Sequence, residues 1–306
     1  MPTSLGEPSH DGSPSQKGAL VEFAPAKINL TLAVERRRAD GFHDLASLVC
    51  FASVGDELSL TPGVELSLEV TGSFAKGAGA PDANLVLKAA KALARRFPNL
   101  RHGHFALVKH LPTAAGLGGG SADAAAALRL LARLNGLPLE SGPIVETARE
   151  TGSDVPVCLD GVCRMMRGRG EILGPKLAMP ALFGVLVNPG ARLETARVFA
   201  TLAKTAGVGN SEVFEPSAQL TTLGEWLAAI TRCGNDLEAA AIGLAPVVRD
   251  AGLRLRDQAG CVLSRMTGSG TTVFGLFEDE AHAALAAQIL TEVEPRWWVR
   301  GVTLNF

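Results

Sequence analysis

Ahead of an alanine-rich run, the chain reads Leu111-Pro-Thr-Ala-Ala-Gly-Leu-Gly-Gly-Gly-Ser-Ala-Asp123, and this glycine-rich stretch limits the surrounding fold more than any other segment. The preceding HFALVKHLP reads as a strand, and the following SADAAAALRLLARLNG as a helix closed by Gly136. Glycines let backbone N–H groups converge without interference from Cβ atoms, while a helix start adds unsatisfied donors and the positive end of the peptide dipole. Phosphate is the natural guest of such a strand–loop–helix unit. The plainer alternative is a tight turn in which Ser121 only caps the helix. Two common phosphate patterns do not fit. No Lys follows the glycines as GxxxxGK[ST] requires, and counting GxGxxG from Gly116 puts Ser121 where the third glycine belongs.

Around this unit the chain mixes strand and helix patterns, which predicts an α+β protein. Residues 21–34 (VEFAPAKINLTLAV) read as a strand, a proline-marked break and a second apolar segment, with Lys27 and Asn29 on one side. Residues 45–70 hold LASLVCF, DELSLT and VELSLEV separated by Gly and Pro, as in hairpins or a meander. A helix is expected over residues 84–97, capped by Asn84 and followed by Pro98, and another over 143–151 up to Gly152. LGPKLAMPAL, at residues 173–182, has the Pro and Gly spacing of a connector before the strand-like FGVLV. Beyond it come a loop near 206–218, two Ala-rich helical regions, and the strands TTVFGLF and WWVRGVTLNF. A chain of 306 residues, 47% hydrophobic, suits two lobes better than one core. The expected division is a disordered tail at 1–18, an N-terminal domain at 19–176 and a C-terminal domain at 177–306.

Bulk properties exclude several classes. With 29 basic and 31 acidic residues the net charge is −2, so no broad positive field exists to hold nucleic acid. The five cysteines (Cys50, Cys158, Cys163, Cys233, Cys261) are odd in number and include no pair separated by two residues, the spacing zinc sites and redox motifs use, and they read as reduced thiols in the cytoplasm. Residues 1–18 lack the apolar run of a signal peptide, and no uncharged apolar stretch approaches the roughly 20 residues of a membrane span. A small molecule is the expected partner; the oligomeric state is not readable.

The pattern Pro112-x-x-x-Gly-Leu-Gly-Gly-Gly-Ser121 closely resembles the phosphate loop of the GHMP kinases, and two more segments extend the resemblance in the expected order: Ala24-Pro-Ala-Lys27-Ile-Asn29-Leu30, and Thr267-Gly-Ser-Gly-Thr-Thr272. More narrowly, PAKINL, ADGFHDL, GLGGGSADA, GSDVPVCL and TGSGTTVF are similar to members whose acceptor alcohol carries a cytidine diphosphate. The likeness covers nearly the whole chain after residue 18. It implies a two-lobed α+β GHMP kinase fold with the active site in the cleft between lobes.

That resemblance also implies residue roles. ATP is expected on Pro112, Gly116, Leu117, Gly118, Gly119, Gly120, Ser121 and Ala122, with Mg²⁺ arriving on the nucleotide and no dedicated protein metal site. Asp154, in Gly152-Ser-Asp-Val-Pro156, is the expected catalytic base, in a stretch that Pro156 is expected to hold extended, and Lys27 is its cationic partner. Asn29, Phe42, His43, Phe199, Thr267 and Gly268 are the expected acceptor-binding set, with Phe42 and Phe199 on either side of the base. The chain departs from the family at two points. Phe42 stands where many members have Tyr, in a protein with no Tyr at all, and Ala122 stands where many have a second Ser. Asp123 is expected to point away from the phosphates, and Asn235-Asp236 resembles a paired element whose role is not legible. Two other readings stay open: a GHMP kinase for homoserine, mevalonate or a sugar, and a nucleotide-binding module without catalysis.

Overall fold

The structure is a computed structural model and describes residues 18–205 and 209–306. Most of the expected tail, residues 1–17, and the start of the 206–218 loop lie outside the described residues. The first half runs β1 (Leu20–Asn29), β2 (Ala33–Arg37), β3 (His43–Gly63), β4 (Ser67–Thr71), α1 (Leu85–Arg96), β5 (His102–Val108), α2 (Gly119–Asn135), α3 (Gly142–Thr151), α4 (Val155–Asp160), β6 (Arg164–Gly168) and β7 (Ile172–Lys176). The second half runs β8 (Leu182–Asn188), α5 (Thr195–Thr205), α6 (Leu223–Arg232), α7 (Glu238–Leu244), α8 (Val247–Arg256), β9 (Cys261–Met266), β10 (Val273–Phe277), α9 (Glu280–Val293) and β11 (Trp298–Leu304).

β3 organises the molecule. Its 21 residues pair antiparallel with β1, β2, β5 and β6, and near its middle Ala52 meets Leu304 of β11. The path β4-β5-β3-β11-β8-β10-β9 therefore runs from the first half into the second without a break. This corrects the expected hairpins. Gly55 lies inside β3 rather than at a turn, and at this position a Cβ would collide with the carbonyl of Ala24 on β1. The glycine marks a close strand-to-strand approach. Likewise Pro25 does not end β1. Having no N–H to give the ladder, it sits beside a register shift between Pro25 and Lys27, and the strand continues to Asn29.

Helix predictions fare better. Asn84 caps α1 by accepting from the N–H of Val86, and Gly136 closes α2 in the left-handed region. Small residues on α2, among them Ala122 and residues 124–127, are buried against Phe51, Leu58, Phe105 and Leu107, so this helix lies close on the sheet. The expected connector is in part a strand: β7 pairs with β6, and the proposed 176/177 division falls between β7 and β8. The two halves share a core in which Ile28 and Leu48 pack with Leu186, Phe274 and Leu304.

Candidate active site

Lys27, Asn29, Asp154 and the glycine-rich loop all line one cleft of about 1490 Å³. The alternation of β1 puts Lys27 and Asn29 on the same side of the strand, and the Lys27 Nζ donates to the Asn29 Oδ1 at 2.9 Å. A second contact joins the Lys27 Nζ to the Asp154 Oδ2 at 3.2 Å, with the lysine buried and the aspartate side chain one-third exposed (33%). Asp154 sits at the N-cap of α4, yet its carboxylate caps no backbone N–H. It is therefore open to the cleft. The expected extended stretch is instead a helix start: Pro156 lies in the first turn of α4, where its missing N–H costs nothing.

The glycines of the loop have separate reasons. Gly118, at φ 63°, is the N-cap of α2, and a Cβ there would stand 3.1 Å from both Cβ and Cε of Lys27. Gly116, at φ 78°, would clash with the carbonyl of Thr267. Both positions thus let three distant segments meet. Because Gly118 holds the cap, Ser121 does not; it sits half-buried in the first turn, where N–H groups lack intrahelical partners. Ala122 is not brought to the cleft. Its side chain is in the core, and its N–H donates to the Gly118 carbonyl.

The Thr267–Thr272 segment is locked onto this loop. The backbone N–H of Asn29 donates to the Thr267 Oγ1 at 2.9 Å, and that of Thr272 to the Ala115 carbonyl at 3.1 Å. Thr267 is fully buried, and Gly268 faces the cleft. Asn235 and Asp236 now gain a role. The Asn235 Nδ2 donates to the carbonyls of Met266 (2.8 Å) and Gly268 (2.9 Å), while the Asp236 carboxylate accepts from the N–H groups of Val34 and Ser211. This pair brackets the glycine segment against β2.

Sequence reasoning missed a buried charge group beneath the loop. Lys109 donates to Asp123 at 2.7 Å and also to Asp56, whose other oxygen accepts from the N–H groups of His110 and Leu111. Burial raises the Asp123 carboxyl to about 7, against the pull of Lys109, and its Oδ1 has no partner. Burial also works against the Lys109 charge, but the two carboxylates outweigh it and raise its pKa. Asp123 is thus turned onto Lys109, at the edge of the same cleft.

At the far end of the cleft Phe42 is half exposed (50%), while the His43 ring stacks on Phe199 with centroids 4.8 Å apart and planes 22° apart. Burial, then the nearby Arg37, lower the His43 pKa, which favours the neutral ring, and its Nε2 is buried without a partner. Phe199 lies against His43, and both it and Phe42 line the cleft.

Two conserved domain descriptions match this chain: GHMP kinases N terminal domain over residues 84–162, and GHMP kinases C terminal over 214–295. The chain belongs to the GHMP kinases. Within that family the similarity runs to 4-diphosphocytidyl-2-C-methyl-D-erythritol kinases. One from Methylobacterium radiotolerans is 53% identical over 92% of this chain and 97% of its own length. Another, from Nitrobacter winogradskyi, is 51% identical over 94% of each chain. The crystal structure of a 4-(cytidine 5'-diphospho)-2C-methyl-D-erythritol kinase superposes with a TM-score of 0.71 at 34% identity, covering 94% of this chain and all (100%) of that one. A homoserine kinase from Cytophaga hutchinsonii, at 18% identity and a TM-score of 0.68, shares the fold.

Proposed function

We propose that this chain is an ATP-dependent kinase that phosphorylates the 2-hydroxyl of 4-diphosphocytidyl-2-C-methyl-D-erythritol, in the non-mevalonate route to isoprenoid precursors. The observation that carries this reading is the Lys27–Asp154 contact, 3.2 Å long, beside a glycine loop packed against Lys27 itself. An alcohol attacking a γ-phosphorus must lose its proton, and a carboxylate free of capping duty can accept it. Asp154 takes that role. Lys27 holds the carboxylate in place and stabilises negative charge on the oxygens in transfer.

The first turn of α2 and the convergent glycines fit a polyphosphate, which supports reading Gly116, Leu117, Gly118, Gly119, Gly120 and Ser121 as the ATP site, with Pro112 on the cleft wall. Among the described residues no group of three or more His, Cys, Asp or Glu is arranged to hold a metal. Mg²⁺ is read as the counterion of the bound nucleotide on chemical grounds, since it neutralises the β- and γ-phosphates. Asn29 and Gly268 line the acceptor's path, with Thr267 behind them, and Phe42, His43 and Phe199 form the nucleobase end. A neutral His43 ring with a free Nε2 suits hydrogen bonding to cytosine, and Phe42 keeps the stacking face although it lacks a hydroxyl. No helix among the described residues is long and apolar enough to cross a membrane, and we place the enzyme in the cytoplasm with its small-molecule substrates.

The test is ADP release from ATP with a panel of alcohols. The cytidylyl acceptor is expected to be turned over and homoserine, mevalonate and galactose not. Preference for one of the latter sinks the assignment, and nucleotide binding without turnover on any alcohol points to a non-catalytic module.

A further inference from the structure

Resting on that reading, we propose that Arg169 binds the diphosphate of the acceptor and thereby opens the Phe42 face to the base. Arg169 sits in the turn between β6 and β7, flanked by Gly168 (φ 69°) and Gly170 (φ 120°), and its backbone N–H donates to the Glu171 carboxylate at 2.7 Å. The turn is wedged against the reacting end of the cleft. A Cβ at Gly170 would lie 2.9 Å from the Ser153 carbonyl and 3.4 Å from the Asp154 Oδ1. From there the Arg169 side chain reaches Phe42, and its guanidinium carbon lies 4.1 Å from that ring's centroid. It therefore spans the interval between the carboxylate that meets the hydroxyl and the ring that meets the base. In the acceptor, that interval holds the diphosphate.

Charge points the same way. The neighbouring Arg167 is matched by Glu215 at 2.7 Å and Glu35 at 3.8 Å, whereas among the described residues no carboxylate stands within ion-pair distance of Arg169. An unmatched planar cation facing a cleft is suited to two forked hydrogen bonds with phosphate oxygens. The ring contact keeps the guanidinium in place until phosphate arrives, at a strength that a charge-assisted bond exceeds. As Arg169 moves onto the diphosphate, it uncovers the aromatic face that the base requires. One side chain thus links recognition of the phosphates to recognition of the base, in a chain whose Phe42 has no hydroxyl to do so.

Calorimetric titration with CDP and with cytidine tests this. The unaltered protein is expected to bind CDP more tightly than cytidine. In Arg169→Gln that preference falls by about tenfold or more, while affinity for cytidine is unchanged or rises, because the Phe42 face is uncovered, and affinity for a non-hydrolysable ATP analogue stays within about twofold. Arg169→Lys, which keeps the charge but loses the fork, retains an intermediate preference, and KM for the acceptor rises in the same order with KM for ATP unchanged. An unaltered CDP preference in Arg169→Gln overturns the proposal, as does an equal loss of CDP and cytidine, which would make Arg169 a base contact only. If the unaltered protein binds neither CDP nor cytidine, the functional reading itself fails.

Discussion

Lys27 and Asp154 illustrate how much chemistry depends on a side chain left without a structural task. Aspartates beside Gly and Pro commonly cap or turn, yet the Asp154 carboxylate, at the cap position of α4, bonds no backbone N–H and faces Lys27. For Asp154→Asn, kcat is expected to fall by roughly a hundredfold or more with nucleotide-analogue affinity nearly intact, as read by steady-state kinetics and titration. Near-normal turnover would remove Asp154 from the reaction. Both residues stand in short segments that carry the family likeness, so they were legible in the sequence. The Asp56–Lys109–Asp123 group was not. Its members are 53 and 14 positions apart, and only the crossing of β3, β5 and α2 joins them.

Elements were legible where a local signal fixes them and illegible where the partner strand does. The Asn84 side chain and Gly136 act on their own neighbours, so both ends of those helices could be read. Gly55 carries the same letter but answers to Ala24 across the sheet, and the predicted turn became the middle of β3. Similarly, six-residue α4 is too short for periodicity to reveal it. The glycine loop allows a paired test of local against tertiary demands. Gly118 and Gly136 both have φ 63°, but Gly136 faces open space while Gly118 faces Lys27. Alanine at either should cost about 1–2 kcal/mol for the left-handed backbone, measured by thermal unfolding. Only Gly118→Ala should also lower kcat/KM, by roughly tenfold or more, because it displaces the lysine. Equal kinetics in the two variants would refute a tertiary role for Gly118.

At the scale of the whole molecule, Arg265 on β9 shows what fastens the two halves. Buried to 5% exposure, it donates to the Leu30 carbonyl just past β1 and to the carbonyls of Ile230 and Cys233 at the end of α6. Its charge also sits at the negative end of that helix dipole. Arg265→Met strips several buried carbonyls of their donor, and a loss of about 3 kcal/mol or more is expected, measured by the denaturant midpoint. A loss below ~1 kcal/mol would mean that solvent or neighbouring groups replace those bonds. By itself the sequence determined the chemical repertoire: a phosphate-suited loop before a helix, a lysine on a strand, an aspartate near a helix end, an aromatic–histidine pair. Those features are local, set by backbone freedom and side-chain type within a few residues. Only the tertiary structure decided that β3 is one continuous strand, that Phe199 lies on His43, that Lys109 is locked between two carboxylates, and that Arg169 lies across the interval from Asp154 to Phe42. Each of these depends on which distant backbones pack together, and close packing is selected by the whole fold at once, not residue by residue.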